Sequence, residues 1–592
     1  KVPMPLDSAL YLRRRARQET RLVEPNQGGR LRVVLAYPNT YGVGMSNLGM
    51  HTIYRLFNDH PNVCCERSFL PDNHEIEEYR RRGTPLMTVE SQRPVSDADV
   101  IAFSASFEND YVNVVRMLTL ANLPTRAAHR DVTHPIIIMG GATVSINPEP
   151  VAPFLDLCCV GEGEGLVGPL IESILGEADG KKTGNSSKSL TDGDLPTRAA
   201  LLRSLATLPG FYVPSLYEPR YDQTSPSGYP TFTGLTPQDG APPRVTKVRA
   251  VFGGPETVAS TAILTPETEF GDRAMIEVAR GCTKGCRYCW VGYNILPFRV
   301  HTVDDVLAAA EPWLPTTQRV GLVATALLDH PDIEAIATSL RERGLQVFSP
   351  SLIISTLREP LLRSVVESGQ RSITIAPEAG SDRMRELIMK KITNAEILEK
   401  TRMIFRAGVL NLKNYVIIGL PGETEADLQA LVNLCTAMRE IMIEESRHRG
   451  RIGTITLSVN CLIPKPATPF QWAKQIRPSE YASKLRWLRR RLAKVPNVAI
   501  EAMSPRSSEI QALTSRGDRR VADLIELWAD TGSWRQAVRT WEERGGSVDH
   551  FAFRALQPSD PLPWDHLRTG ASSAALGNQW RKALGGNVNA AA

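Results

Sequence analysis

The sequence predicts an α/β protein: an N-terminal doubly wound parallel sheet, then a partial (β/α)6 barrel, then a mostly helical C-terminal region. Three observations carry that prediction. Between residues 31 and 175, short β-branched runs ending in small residues alternate with amphipathic stretches of helical length, as in parallel strands buried on both faces. Six more strand and helix pairs fit between 274 and 463, too few for a closed eight-stranded barrel. Beyond 480 a strongly basic helix opens a run of Trp-containing helical segments.

Taken in order, residues 1–30 are a basic, turn-rich arm with Arg13, Arg14 and Arg15 in a row, expected to lie across another part of the molecule. The first sheet, 31–175, draws its strands from 32–38, 99–106, 135–141 and 155–164, with helices over 45–59, 112–120 and 166–175. Ligands of such sheets sit at the carboxyl ends of the strands. Residues 176–196 hold almost no large apolar side chain and are expected to be a flexible insertion; the stretch on to 270 reads as an irregular β linker. Barrel strands are predicted at 274–281, 319–328, 346–355, 371–380, 410–420 and 453–463, within a unit spanning 271–480. In the final region, 481–592, the helix at 484–494 carries Leu485, Leu488 and Leu492 as an apolar stripe, so its arginines form either a solvated face or an RNA contact.

With 69 Lys and Arg against 64 Asp and Glu, the net charge of +5 on 592 residues is too mild to argue nucleic-acid binding by itself. A content of 42% hydrophobic and 22% charged residues excludes collagen-like, coiled-coil and wholly disordered chains. No window reaches the ~18 uninterrupted apolar residues of a membrane span, so no membrane partner is expected. The first twenty residues lack a signal-peptide core, which points to the cytoplasm. Nine cysteines in such a chain do not read as a disulfide framework. Cys64, Cys65, Cys158, Cys159, Cys435 and Cys461 read as small buried hydrophobes.

The other three are different. Cys282, Cys286 and Cys289 follow the first barrel strand on a loop that also holds Gly281 and Gly285, where a barrel enzyme places its chemistry. Three thiolates so spaced can wrap one face of a cubane iron–sulfur cluster, and the missing fourth cysteine leaves one iron open to a ligand. Zinc is the structural alternative; it normally takes four ligands, and no nearby His or Cys supplies the fourth.

With Tyr288 before the last cysteine and five more β/α units behind it, this CxxxCxxC resembles the radical S-adenosylmethionine (SAM) superfamily over roughly residues 270–480. The resemblance implies a [4Fe-4S] cluster whose open iron binds SAM, cleavage to a 5′-deoxyadenosyl radical, and an electron donor such as flavodoxin or ferredoxin. It also implies SAM contacts at Glu378 and Ser381 in APEAGSDR, at Ser355 closing the third strand, and at Gly419 and Pro421 in VIIGLPGET, which would back the adenine. A carboxylate at 378 equally suits a helix cap near Asp382. Arg280 and Lys284 flank the cysteines and are expected to offset the cluster's charge.

Residues 31–175 resemble the cobalamin-binding-like domain found before the barrel in one branch of that superfamily. The resembling positions are Tyr41 and Gly49 in the first loop, Ser104 after the third strand candidate, Gly140 and Gly141, and Gly161 with Glu162. The D-x-H-x-x-G that supplies a lower axial histidine is absent; Asp72-Asn73-His74 lacks its glycine and its strand context. With 516–520 (RGDRR) and 561–566 (PLPWDH), the whole chain is similar to fused radical SAM proteins bearing this N-terminal sheet; PLPWDH reads as a buried Trp anchor with satisfied polar neighbours in preference to a catalytic pair of Asp565 and His566. The reading is therefore a radical SAM enzyme, with cobalamin-dependent methyl transfer to an unactivated centre. RNA or ribosomal-protein modification without cobalamin, and a non-catalytic iron–sulfur scaffold or sensor, stand beside it. The substrate is not legible.

Overall fold

The structure is a computed structural model that describes residues 8–176, 197–223, 228–349 and 351–585. The insertion expected at 176–196 falls outside these residues except for Gly176, as do the last residues of the tail.

Six strands form the N-terminal sheet: β1 (Leu31–Tyr37), β2 (Val63–Phe69), β3 (Val100–Ser104), β4 (Ile136–Gly140), β5 (Leu157–Cys159) and β6 (Phe211–Tyr212). Their order is β2-β1-β3-β4-β5-β6, parallel except for β6, which runs antiparallel to β5. Order reverses across β1, with Val34 opposite Glu66 on one side and Ile101 on the other, so loops leaving β1 and β3 diverge and open a crevice. β2 was not among the predicted strands: its VCCERSF carries two charges, and both are buried, Arg67 paired with Glu90 at 2.6 Å and with Glu19 of the N-terminal arm at 2.8 Å, and Glu66 accepting from the Thr88 and Ser91 hydroxyls at 2.7 and 2.6 Å. Helices α1 (Leu48–Asn58), α2 (Tyr111–Leu120) and α3 (Val167–Leu175) cover the sheet. Asn47 caps α1 by accepting from the Met50 N–H at 3.0 Å. Asp72 and Asn73 belong to the cap and first turn of a separate helix, Asn73–Arg82.

The barrel has seven strands, all parallel: β7 (Ala274–Glu277), β8 (Arg319–Val323), β9 (Gln346–Phe348), β10 (Ser372–Glu378), β11 (Asn411–Ile418), β12 (Thr454–Cys461) and β13 (Val498–Ala502). They hydrogen-bond as two groups, β7-β8-β9 and β10-β11-β12-β13. Between them run α4 (Val303–Ala310), α5 (Ile333–Glu342), α6 (Glu359–Glu367), α7 (Asn394–Arg406), α8 (Glu425–Ser446) and α9 (Pro478–Leu492). All six predicted strands are present. β9 stops at Phe348, far short of the expected 355: the next N–H, that of Ser349, donates to the Gln370 side-chain oxygen at 3.1 Å instead of to a neighbouring strand. The seventh strand, β13, extends the barrel beyond residue 480: the basic helix α9 is a barrel helix, with Leu485, Leu488 and Leu492 buried against Val416, Ile418 and Leu457.

Helices α10 (Pro505–Arg516) and α11 (Val521–Thr531) turn back to the first sheet, where Leu513, Val521, Leu524 and Ile525 join the core built on β1, β3 and β4. The RGDRR run is part of that seam. Asn147 donates to the carbonyls of Ser515 and Gly517, and Arg519 donates to the buried Glu149 at 2.8 Å. Asp565 and His566 do not form a pair at the barrel mouth: His566 is buried against the Tyr212 ring, centroids 4.5 Å apart, and Asp565 accepts the Leu562 N–H. No helix among the described residues is long and apolar enough to cross a membrane.

Candidate active site and adjoining cavity

The cysteine loop is pinned at both ends. Ala279–Arg280 pairs antiparallel with Arg299–Val300, and helix Val291–Asn294 begins directly after Cys289. Gly281 turns the chain at φ +101°; a Cβ there would stand 2.4 Å from the Ile295 carbonyl oxygen, so no other residue fits. Cys282 and Cys286 are buried, Cys289 is half-buried, and all nine cysteines are free thiols. Burial pushes the Cys286 thiol up to about 11; Lys390 pulls the other way, and Cys289, Glu378 and Cys282 add to the rise. Burial likewise raises Cys282 and Cys289, opposed by the backbone N–H of Lys284 at the first sulfur and of Gly292 and Val291 at the second.

Those contacts test the fit to a cluster. Among the described residues, no three His, Cys, Asp or Glu gather closely enough to hold a single metal ion. A cubane makes no such demand, because each thiolate takes a different corner iron, and backbone N–H groups aimed at the sulfurs are what a cluster-ligating loop supplies. The donor set therefore fits a cluster held at three corners.

Facing the loop, Glu378 ends β10 at φ +68°, beyond a register shift in the β10–β11 pairing. Its carboxylate accepts the Tyr288 hydroxyl at 2.7 Å and stands 3.7 Å from Lys390 Nζ. The cap of helix Asp382–Leu387 is Ser381, not Glu378: Ser381 Oγ accepts the Met384 N–H at 3.3 Å and donates to Asp427 at 2.7 Å. Asp427, held at about 2 by hydrogen bonds from Ser381, Thr424 and Arg383 in spite of its burial, is the partner the sequence did not disclose. Gly419 is buried and donates its N–H to Glu423 at 2.9 Å, and Pro421 is half-buried in the turn that follows. Ser355 does not close a strand; it is exposed on the turn Ile354–Thr356, well past the end of β9.

The expected charge compensation is redistributed. Arg280 is bound to Glu277 and Glu164, each at 2.7 Å, and to Glu162 at 3.1 Å, while Lys284 pairs with Asp329 at 2.8 Å. Lys284 still acts on Cys282, ahead of Lys390, and at Cys286 the cation that lowers the thiol is Lys390.

A cavity of about 400 Å³ lies between the carboxyl edge of the first sheet and the barrel's first loop. Its floor includes Ser104, Gly140, Gly141 and Gly161; α1 and α3 give an apolar wall with Ile53, Phe57, Leu166 and Leu170; and Lys247, Glu277, Arg280 and Trp290 form the opposite rim. Gly49 and Glu162 also line it, so six of the seven positions singled out in the first sheet meet there. Tyr41 does not, since its hydroxyl donates to Glu19 at 2.5 Å under the arm. Gly141, at φ +104°, is required by the protein itself, as a Cβ would lie 2.3 Å from the Ala105 carbonyl oxygen. Glu162 is spoken for as well. Arg299 grips both its oxygens at 2.7 and 2.8 Å and the Ala250 N–H donates at 2.9 Å, so it is held at about 2 despite burial.

Residues 49–214 match the family model of the N-terminal region of radical SAM proteins, and residues 276–435 that of the radical SAM superfamily. An uncharacterized protein of Methanocaldococcus jannaschii is 24% identical over 512 residues, 86% of this chain and 93% of that one. A tRNA-2-methylthio-N(6)-dimethylallyladenosine synthase of Sorangium cellulosum is 26% identical over 195 residues, and the alignment spans 38% of its length. Among solved structures, the apo form of OxsB, a cobalamin-dependent S-adenosylmethionine radical enzyme, gives a TM-score of 0.44 at 14% identity, covering 85% of this chain and 67% of that one.

Proposed function

The chain belongs to the radical SAM superfamily, and from that membership we propose that it is a cobalamin-dependent methyltransferase acting on an unactivated carbon or phosphorus centre. Membership makes it an enzyme with a [4Fe-4S] cluster and SAM as cofactors, dependent on a reductant. When bound and reduced, these cofactors supply a 5′-deoxyadenosyl radical, and cobalamin would supply a methyl carrier.

Cys282, Cys286 and Cys289 would each hold one iron, leaving the fourth for the amino and carboxylate groups of SAM. Tyr288 fixes the Glu378 carboxylate at the mouth of the barrel, where it is set to orient the methionine or ribose end of SAM. Gly419 and Pro421 would back the adenine. Ser381, already committed to its helix cap and to Asp427, acts as support for this wall. A flavodoxin or ferredoxin would deliver the electron, and nine free thiols suit the reducing cytoplasm.

The observation that carries the two-cofactor reading is the cavity: its floor is the carboxyl edge of the first sheet and its rim is the same loop that holds the cysteines. RNA modification finds less support, because α9, the basic helix that suggested it, buries its leucines in the barrel wall. The test is anaerobic reconstitution with iron and sulfide, addition of cobalamin and a reductant, and assay of the products of SAM. Formation of both 5′-deoxyadenosine and S-adenosylhomocysteine supports the proposal; deoxyadenosine without S-adenosylhomocysteine contradicts methyl transfer and leaves another radical reaction.

A further inference from the structure

The rim of the cavity carries one hydrogen-bond donor that the protein leaves without a partner and a second that it satisfies only in part. Lys247, in the segment joining sheet to barrel, has a side chain only 2% exposed and lines the cavity. Its Nζ donates to the Asn294 carbonyl at 2.9 Å, while the nearest Glu162 oxygen is 3.9 Å away and already taken by Arg299. Three ammonium protons thus meet one close acceptor among the described residues. Trp290 lines the same rim, and its indole N–H is buried with no partner. Lys247 Nζ lies 5.7 Å from the Trp290 ring, so the two form one edge. Donors left unmatched at the border of a cavity are costly unless a ligand completes them.

The charges around this edge say which kind of ligand. Lys247, Arg280 and Arg299 are balanced one for one by Glu162, Glu164 and Glu277, which interlock with them. The edge is electrically matched but short of acceptors, which favours neutral carbonyl groups over an anion. Its position matters too. Trp290 directly follows Cys289, and the Asn294 carbonyl that Lys247 holds ends the helical turn beginning at Trp290.

Resting on the cobalamin reading above, we propose that Lys247 and Trp290 are the recognition edge of this cavity, donating to the amide carbonyls on the rim of the corrin ring. Sitting on the turn that follows the third cysteine, they also set the distance between the ligand and the cluster loop. The test is equilibrium dialysis of hydroxocobalamin against the reconstituted full-length chain, comparing wild type with Lys247→Met, Lys247→Arg and Trp290→Phe. Lys247→Met and Trp290→Phe are expected to weaken binding about tenfold each, the effect of one lost donor bond, while Lys247→Arg keeps most of the affinity. Iron content, SAM affinity and the unfolding temperature of the cobalamin-free chain should not change. Wild type that retains no cobalamin overturns the cobalamin reading and this assignment together. Retention by wild type and variants alike overturns the assignment alone, and so does a loss seen only in variants that unfold earlier.

Discussion

Glu378 is one of seven described non-glycine residues with a positive φ, and it sits in the left-handed region at the end of a strand. Such a conformation costs about 1–3 kcal/mol and is kept where the surrounding structure fixes it, which here means the Tyr288 and Lys390 contacts. Glu378→Gln should leave iron content unchanged and weaken SAM binding about tenfold, as read by titration of the reconstituted protein; unchanged affinity would remove Glu378 from the site. The cysteines were legible because cluster ligation is local: spacing, two glycines and a preceding strand suffice. Lys390 was not, because only the fold carries it from the far side of helix Asp382–Leu387 to both Cys282 and Cys286; of the two cations near in sequence, Arg280 is bound elsewhere and Lys284, paired with Asp329, still acts on Cys282. Replacing Lys390 by Met should therefore make the cluster harder to reduce, and replacing Lys284 by Met should do so less, in an EPR-monitored redox titration. Equal shifts would reject this ranking.

At the scale of elements, the ion pairs that tie Glu162 of the first sheet to Arg280 and Arg299 of the barrel give a pH signature. Glu162 titrates at about 2 in the folded chain against an ordinary 4.5, held down by Arg299 and Arg280 although burial works against it. A carboxylate depressed in this way adds stability that is fully present above its unfolded value and is lost as pH falls from 4.5 towards 2. Denaturant unfolding across that window should show a steeper loss for wild type than for Glu162→Gln; parallel curves would mean that these ion pairs contribute nothing. The basic helix makes the complementary case. Leu488 is fully buried while Arg489 and Arg490 are exposed, so Leu488→Ala should cost about 2–5 kcal/mol and the two arginine-to-alanine changes within ~0.5 kcal/mol each, by equilibrium unfolding. Its apolar stripe was readable in advance. Its place was not, since β13 behind it, VAIEA, is short and has no fully buried residue, leaving little pattern to read.

Across the whole molecule, the chain closes on itself. The C-terminal helices return to the N-terminal sheet through the half-buried Arg519 and the fully buried Glu149, and Tyr212 donates to the same Glu149 carboxylate. Removing one partner of such a buried pair leaves an uncompensated charge, so Arg519→Ala should destabilise the chain by about 3–5 kcal/mol although it lies far from the cysteines. Thermal unfolding measures it, and a loss under ~0.5 kcal/mol would show the seam to be dispensable. The two α/β layers were plain from strand and helix alternation, but this return was invisible, because nothing in RGDRR names its partners.

The central claim is a cluster held at three corners with its fourth iron open to SAM, and Mössbauer spectroscopy of the anaerobically reconstituted chain, recorded with and without SAM, tests it most directly. The account predicts a cubane in which a single iron changes its isomer shift when SAM is added, and no cubane at all in Cys286→Ala. Four equivalent irons indifferent to SAM, or a cluster that survives in Cys286→Ala, would contradict it.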